Sequence, residues 1–154
     1  MPRIDVASLP IHRGSRYPAP FHEPCAGRSR QRLGDAAGLA QFGVNLLRLE
    51  PGAWSSQRHW HVGEDEFVWV IEGEVVLVED AGETLLRAGD CAGWKAGAPD
   101  GHHLQNRTDR TVLVLEVGTR LPDDEAFYSD IDMRVGNGTG YTRKDGTPYP
   151  QRGT

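Results

Sequence analysis

The chain has 154 residues, with 17 basic, 22 acidic and six histidine side chains and a formal net charge of −5. That is one domain's worth of sequence, long enough to bury a core without staples, and its acidic balance disfavours nucleic acid and anionic membrane surfaces as partners. No apolar run approaches a membrane span and Met1-Pro2-Arg3-Ile4-Asp5 lacks an apolar signal core, so a soluble, cytoplasmic protein is expected.

Residues 1–38 read as an N-terminal arm and a first edge strand. Pro10, Pro18, Pro20 and Pro24 forbid a long helix there, and Arg28, Arg30 and Arg32 alternate as the solvated face of a strand over about Ser29 to Leu33. Residues 39–117 carry the repeated punctuation of an all-β domain. Strands are expected at Leu39 to Glu50, Gln57 to His61, Glu66 to Ile71, Val75 to Glu79, Glu83 to Leu86, Cys91 to Trp94, His102 to Asn106 and Thr111 to Val117, separated by tight turns such as Glu72-Gly73 and Ala88-Gly89-Asp90. Together they predict a double-sheet antiparallel barrel. Phe67-Val68-Trp69-Val70-Ile71 is apolar on both faces, so its outer face needs cover from a second subunit or from the terminal arms. Cys25 and Cys91 stand outside any Cys-x-x-Cys spacing and read as buried small hydrophobes. Residues 118–154 form a C-terminal extension. Pro122-Asp123-Asp124-Glu125-Ala126-Phe127 fits a first helical turn, Tyr128, Asp130 and Asp132 alternate as an edge strand, and the polar, glycine-rich tail from Gly136 is either disordered or strapped onto the barrel or a dimer partner.

Chemistry concentrates around His59-Trp60-His61. Alternation along a strand sends His59 and His61 to one side and Trp60 to the other, which makes a two-toothed chelate. Glu66 lies five residues beyond His61. Val62-Gly63-Glu64-Asp65 must therefore turn the chain so that its carboxylate opens the next strand beside the imidazoles. A second cluster, His102-His103, lies far along the chain. His102 shares a strand face with Leu104 and Asn106, and His103 with Gln105, so one of the pair reaches the site: His102 is the first choice and His103 the alternative. Three neutral imidazoles and a carboxylate suit one divalent transition metal, Fe, Mn, Ni, Co or Zn, and leave open positions for a small oxygen-rich ligand. Glu66 and His103 are the candidate catalytic proton carriers, with Glu64 and Asp65 across the turn as further ones. Arg48, Arg58 and Lys95 are candidate partners for an anionic ligand, and Trp54, Trp60, Trp69 and Trp94 are candidate walls of the pocket.

Gly52, His59, His61, Glu66 and Gly73 resemble the first motif of the cupin superfamily, with six residues rather than the usual five between Gly52 and His59. His102 through Asn106 resembles the end of the second motif, although Lys95-Ala96-Gly97 stands where Pro-x-Gly is usual. More closely the chain looks like small single-domain bacterial cupins of the sugar-phosphate-isomerase-like type. The resemblance implies a double-stranded β-helix, the jelly-roll cupin barrel, with extended terminal arms, a metal held by His59, His61, Glu66 and His102, and a homodimer. It implies oxygenase (dioxygenase-like) or isomerase/lyase chemistry on a hydroxy acid, diketone or sugar-like compound. The alternative is a noncatalytic module that senses or stores a metal or a sugar-like ligand.

Overall fold

The computed structural model describes residues 3–136 and 138–152. The chain folds almost entirely into antiparallel β-structure, as its alternation and turn chemistry predict. One sheet contains β1 (His12–Arg13), β2 (Arg28–Arg32), β3 (Phe42–Leu49), β5 (Glu66–Glu72), β8 (Cys91–Trp94) and β10 (Val112–Thr119), in the order β1-β2-β3-β10-β5-β8. The facing layer has two parts. β6 (Glu74–Glu79) pairs with β7 (Gly82–Arg87) and β9 (His103–Gln105), while β4 (His59–His61) pairs with β11 (Glu125–Tyr128), which continues through β12 (Arg134–Gly136) to β13 (Gly140–Thr142). Isolated bridges from His59 to His102 and from Trp54 to Gln105 join the two parts. The result is a jelly roll.

Alternation along the strands decides what lies inside. On β3 the inward residues are Gly43 and Asn45, then Leu47 and Leu49; on β10 they are Val112 and Val114, then Glu116 and Gly118; on β5 they are Glu66 and Val68, then Val70. Strand register aligns these sets, with Leu47 opposite Val114 and Asn45 opposite Glu116, and Val70 opposite Val114 and Val68 opposite Glu116. One end of the barrel is therefore closed by aliphatic side chains, joined by Val75, Leu77, Leu86 and Leu104. The other end is lined by polar groups. A run of inward residues that changes character halfway along places a cavity at the polar end.

The arms pack on this barrel. Gln31 Nε2 on β2 donates to the carbonyls of Val6 and Leu9. Tyr17, Cys25, Tyr128 and Met133 form a second buried cluster, and Tyr141 of the tail lies 5.4 Å from Tyr17, ring centroid to centroid. The tail is thus strapped on. Three local expectations are corrected. The Pro122 to Phe127 segment is not a helical turn, because Ala126, Phe127 and Tyr128 pair with His61, Trp60 and His59 and Phe127 stacks on Trp60. Ladder bonds and aromatic packing there outweigh the local proline-acid signal. Leu33–Ala36, α1, is a four-residue helical turn where only strand and loop were expected. Cys91 is exposed while Cys25 is buried, since Cys91 sits on an edge strand. Among the described residues no helix is long and apolar enough to cross a membrane.

Candidate metal and ligand site

β4 points His59 and His61 into the polar end of the barrel, and the turn at residues 62–65 brings Glu66 alongside. His59 Nε2 lies 3.8 Å and His61 Nε2 3.6 Å from Glu66 Oε1, and His102 Nε2 lies 2.7 Å from Glu66 Oε2. The structure thus brings together two imidazoles of one strand, a carboxylate of the next and an imidazole 36 residues farther on. His103 takes the other face. Its Nδ1 meets the Ser56 carbonyl at 2.8 Å and its Nε2 lies 3.0 Å from Gln105 Nε2, with Trp54 edge-on against the ring. The bridge from His59 to His102 sets the phase of alternation that turns His102, rather than His103, toward Glu66.

Each imidazole of the cluster is fixed from behind. Nδ1 of His59 sits 2.8 Å from the Gln57 carbonyl, Nδ1 of His61 2.5 Å from Asp124 Oδ2 and Nδ1 of His102 3.1 Å from the Asp100 carbonyl. Acceptors at Nδ1 of His59 and His61 place the proton there and leave a bare Nε2 facing Glu66, whereas His102 directs its Nε2–H at the carboxylate. Ring planes are held as well. Trp94 stacks on His102 at 3.7 Å with an interplanar angle of 3°, and its own Nε1 donates to Glu79. Tyr128 stacks on His59 at 5.5 Å. Behind β4, Arg58 bridges both oxygens of Asp130, the Asp80 carboxylate and the Gly101 carbonyl. A Cβ on Gly101 would fall 1.9 Å from Ser129 Oγ, so glycine is what lets the segment leading into His102 lie this close.

Electrostatics match the geometry. Burial drives the His59 pKa down to about 4 against the pull of Glu66, so its imidazole is neutral near pH 7. Burial works against the charge of Glu66, yet the hydrogen bond from His102 and the adjacent His59 and His61 hold it down at about 2. Burial pushes the Glu64 carboxyl up. Its Oε2 lies 3.8 Å from His61 Nδ1 while Oε1 accepts from the Leu121 amide.

Two donor atoms about 2.1 Å from a common ion stand roughly 3.0–3.5 Å apart in octahedral or tetrahedral coordination. The 3.8 and 3.6 Å from Glu66 Oε1 to Nε2 of His59 and His61 lie just above that spacing, and His102 approaches the other oxygen, Oε2, at 2.7 Å. His59, His61 and Glu66 form a group that could hold a metal ion, with His102 beside it against Glu66.

A cavity of about 320 Å³ opens in front of the cluster, near the lower end of the roughly 300–1,000 Å³ common for small-molecule sites. His59, His61, Glu64, Glu66, His102 and His103 reach it. Of the proposed tryptophan walls, Trp94 does so; Arg48, Arg58, Lys95 and Asp65 do not line it. Arg48 instead bonds Gln31, and Asp65 accepts from the Ala96 amide. Arg28 and Arg30, expected on a solvated face, line the cavity, because the arm covers the opposite face of β2. Sequence reasoning missed Asp124, which holds His61 from 63 residues away, and Glu116, which binds Arg30. No spacing rule announces either.

The profile described as "Cupin domain" matches residues 45–118. The chain is similar to a solved structure from Silicibacter pomeroyi described as a sugar phosphate isomerase from a cupin superfamily: the two are 52% identical, the match covers 99% of this chain and 100% of that one, and the TM-score is 0.92. It is also similar to a putative sugar phosphate isomerase from Acidithiobacillus ferrooxidans, at 31% identity over 75% of this chain and 74% of that one, with a TM-score of 0.70. The polyketide cyclase RemF from Streptomyces resistomycificus, 20% identical over 77% of this chain and 79% of that one with a TM-score of 0.60, shares the fold alone. No curated protein matches the chain.

The depressed His59 pKa has a consequence for the metal-free protein. Between pH 6.5 and about 4 the unfolded chain binds a proton at this residue that the folded chain refuses, so this contribution to stability is complete above 6.5 and is lost as the pH falls through that window. Urea midpoints measured from pH 7 to pH 4 should fall for the wild type and fall less steeply for His59→Gln. Parallel slopes would show that His59 is not held neutral.

Proposed function

Because the chain belongs to the cupin superfamily, we propose that it is a metal-dependent isomerase acting on a small hydroxy-carbonyl compound. One divalent transition metal per chain is held by His59, His61 and His102 through Nε2 and by Glu66. The observation that carries this reading is the set of three Nε2 atoms turned toward one carboxylate, each ring pinned at Nδ1 by an acceptor. When bound, such a metal supplies a Lewis acid that polarises a carbonyl or hydroxyl oxygen.

The chain's own residues provide the rest. Trp94 and Tyr128 keep the imidazole rings from rotating, and Asp124 orients His61. Glu64 lies at the cavity wall with its pKa raised by burial, which suits a carboxyl that takes a proton from one carbon and returns it to the next. Glu66 is the alternative carrier. His103 also reaches the cavity, but a proton role for it would displace the contacts to Ser56 and Gln105. Isomerase chemistry is preferred to oxygenation because a relative with 52% identity across the whole chain is described as a sugar phosphate isomerase.

Protein purified without a metal-affinity tag should contain about one transition metal per chain by elemental analysis. His59→Ala and His61→Ala should empty the site, and Asp124→Ala should weaken metal affinity by roughly 10–100-fold, the usual effect of removing the partner behind a ligating imidazole. Full occupancy in both histidine variants would reject the cluster.

For the chemistry, the metal-loaded protein incubated with hydroxy ketones in heavy water should exchange their α-protons, as read by proton NMR. Glu64→Gln should slow that exchange by roughly 100-fold or more. Oxygen uptake without exchange would replace the isomerase reading by an oxygenase, and absence of both would leave a noncatalytic binding module.

The outward face of β5 supports self-association. Phe67, Trp69 and Ile71 are 41%, 49% and 48% exposed side by side, the kind of apolar strip that marks an interface. Sedimentation should give a homodimer for the wild type and a monomer for Trp69→Glu; a wild-type monomer would refute this assembly.

A further inference from the structure

The wall of the cavity formed by β2 carries a guanidinium with no ion-pair partner among the described residues. Alternation buries Ser29 and Gln31 under the arm and turns Arg28 and Arg30 inward. Six acidic or basic side chains line the cavity: Arg28, Arg30, Arg120, Glu64, Glu66 and Glu116. Five have strong partners. Arg30 makes two hydrogen bonds to Glu116, of 2.7 and 2.9 Å, and Arg120 pairs with Asp35. Glu66 binds His102, and Glu64 accepts from the Leu121 amide.

Arg28 differs. Its Nε donates to the Gly14 carbonyl at 2.9 Å and its Nη1 to the Ser55 carbonyl. Among the described residues it forms no ion pair, and its Nη2 makes no hydrogen bond. The two carbonyls aim the guanidinium as a fixed fork without a carboxylate of its own, since the nearby Glu116 is held by Arg30, and Tyr17 lies beneath it, 5.8 Å from the ring centroid. A partly buried cation without a counterion is costly. Burial, with Arg30 adding to it, accordingly lowers the Arg28 pKa. Tyr17 and Tyr141 line the same wall; burial pushes the Tyr17 hydroxyl up to about 12 and raises that of Tyr141, so both stay protonated and able to donate.

We propose that Arg28 is an oxyanion subsite, so that the ligand has two heads: adjacent oxygens at the His59, His61, Glu66 and His102 cluster, and a terminal phosphate or carboxylate at the guanidinium. The assignment of the first head rests on the function proposed above. The second stands on Arg28 itself. A guanidinium held by its Nε and Nη1 presents its remaining N–H groups to an anion that supplies the missing charge.

Calorimetry with three probes tests this. D-Glycerate offers a hydroxy acid alone, 3-phosphoglycerate adds a phosphate and malate adds a carboxylate. The wild-type holoprotein should bind at least one of the two longer anions more tightly than glycerate, by roughly tenfold or more, the usual gain from a charge-assisted contact. Whichever of the two binds more tightly identifies the anion. Arg28→Met should erase the preference without changing metal content or glycerate affinity, and Arg28→Lys, which keeps the charge but loses the fork, should retain part of it. A folded Arg28→Met protein with its preference intact would overturn the subsite, as would a wild type that shows none. Should Arg28→Met fail to fold, Arg28→Lys decides: full wild-type preference overturns the role of the fork, and a reduced one supports it. Inorganic phosphate titrated into metal-free protein separates the two readings. If the wild type proves unable to hold a metal, the cluster reading fails, yet phosphate binding that weakens tenfold in Arg28→Lys or Arg28→Met still supports the subsite, and binding indifferent to both overturns it.

Discussion

Inside this barrel a strand can present only every second residue, and the structure depends on how those residues are distributed along its length. On β3, β5 and β10 the inward positions are aliphatic at one end and small or ionisable at the other. Burying Leu47, Leu49, Val70, Val112 and Val114 drives the sheets together, since apolar area leaving water is the dominant favourable term. The same closure obliges Asn45, Glu66 and Glu116 to face inward at the opposite end. A core and a polar cavity on one set of strands are two consequences of a single alternation. Moving any of these strands by one residue would send both sets outward together.

The polar end then has to satisfy the charges that alternation turns inward. Most of it does so internally: Glu116 with Arg30, Glu66 with His102, Asp124 with His61. Outside β4, Arg58 gathers Asp80, Asp130 and the Gly101 carbonyl into one tie. That tie links the strand carrying His59 and His61 to the segment carrying His102, so the cluster is set by backbone elements rather than by mobile loops. Such support is what a precise site needs. The terminal arms matter in the same way. β11 completes the ladder behind β4, and the N-terminal arm covers β2 from outside, which makes Arg28 and Arg30 interior.

The local signals were read well where chemistry and alternation agree. His59 and His61 two apart, Glu66 after a glycine-bearing turn, and strands punctuated by glycine gave both the barrel and the cluster, and the resemblance to cupins rested on those same residues. Reading failed where long-range pairing decides. Pro122 to Phe127 looked helical because propensity is local, whereas Trp60 and His59 of β4, 67 and 69 residues earlier, pair with Phe127 and Tyr128. Arg28 and Arg30 looked solvated because a strand has two faces, and nothing in its own sequence says which one an arm will cover.

By itself the sequence determined that this chain is an antiparallel β-barrel and that His59 and His61 share one strand face with Glu66 opening the next strand in the chain, since period-two geometry and turn chemistry act over a few residues. Tertiary structure decided that His102 rather than His103 joins them, that Asp124 stands behind His61, and that Arg28 faces the cavity. Each depends on register between segments tens of residues apart, and register is set by the summed burial of whole strands rather than by any residue's own preference.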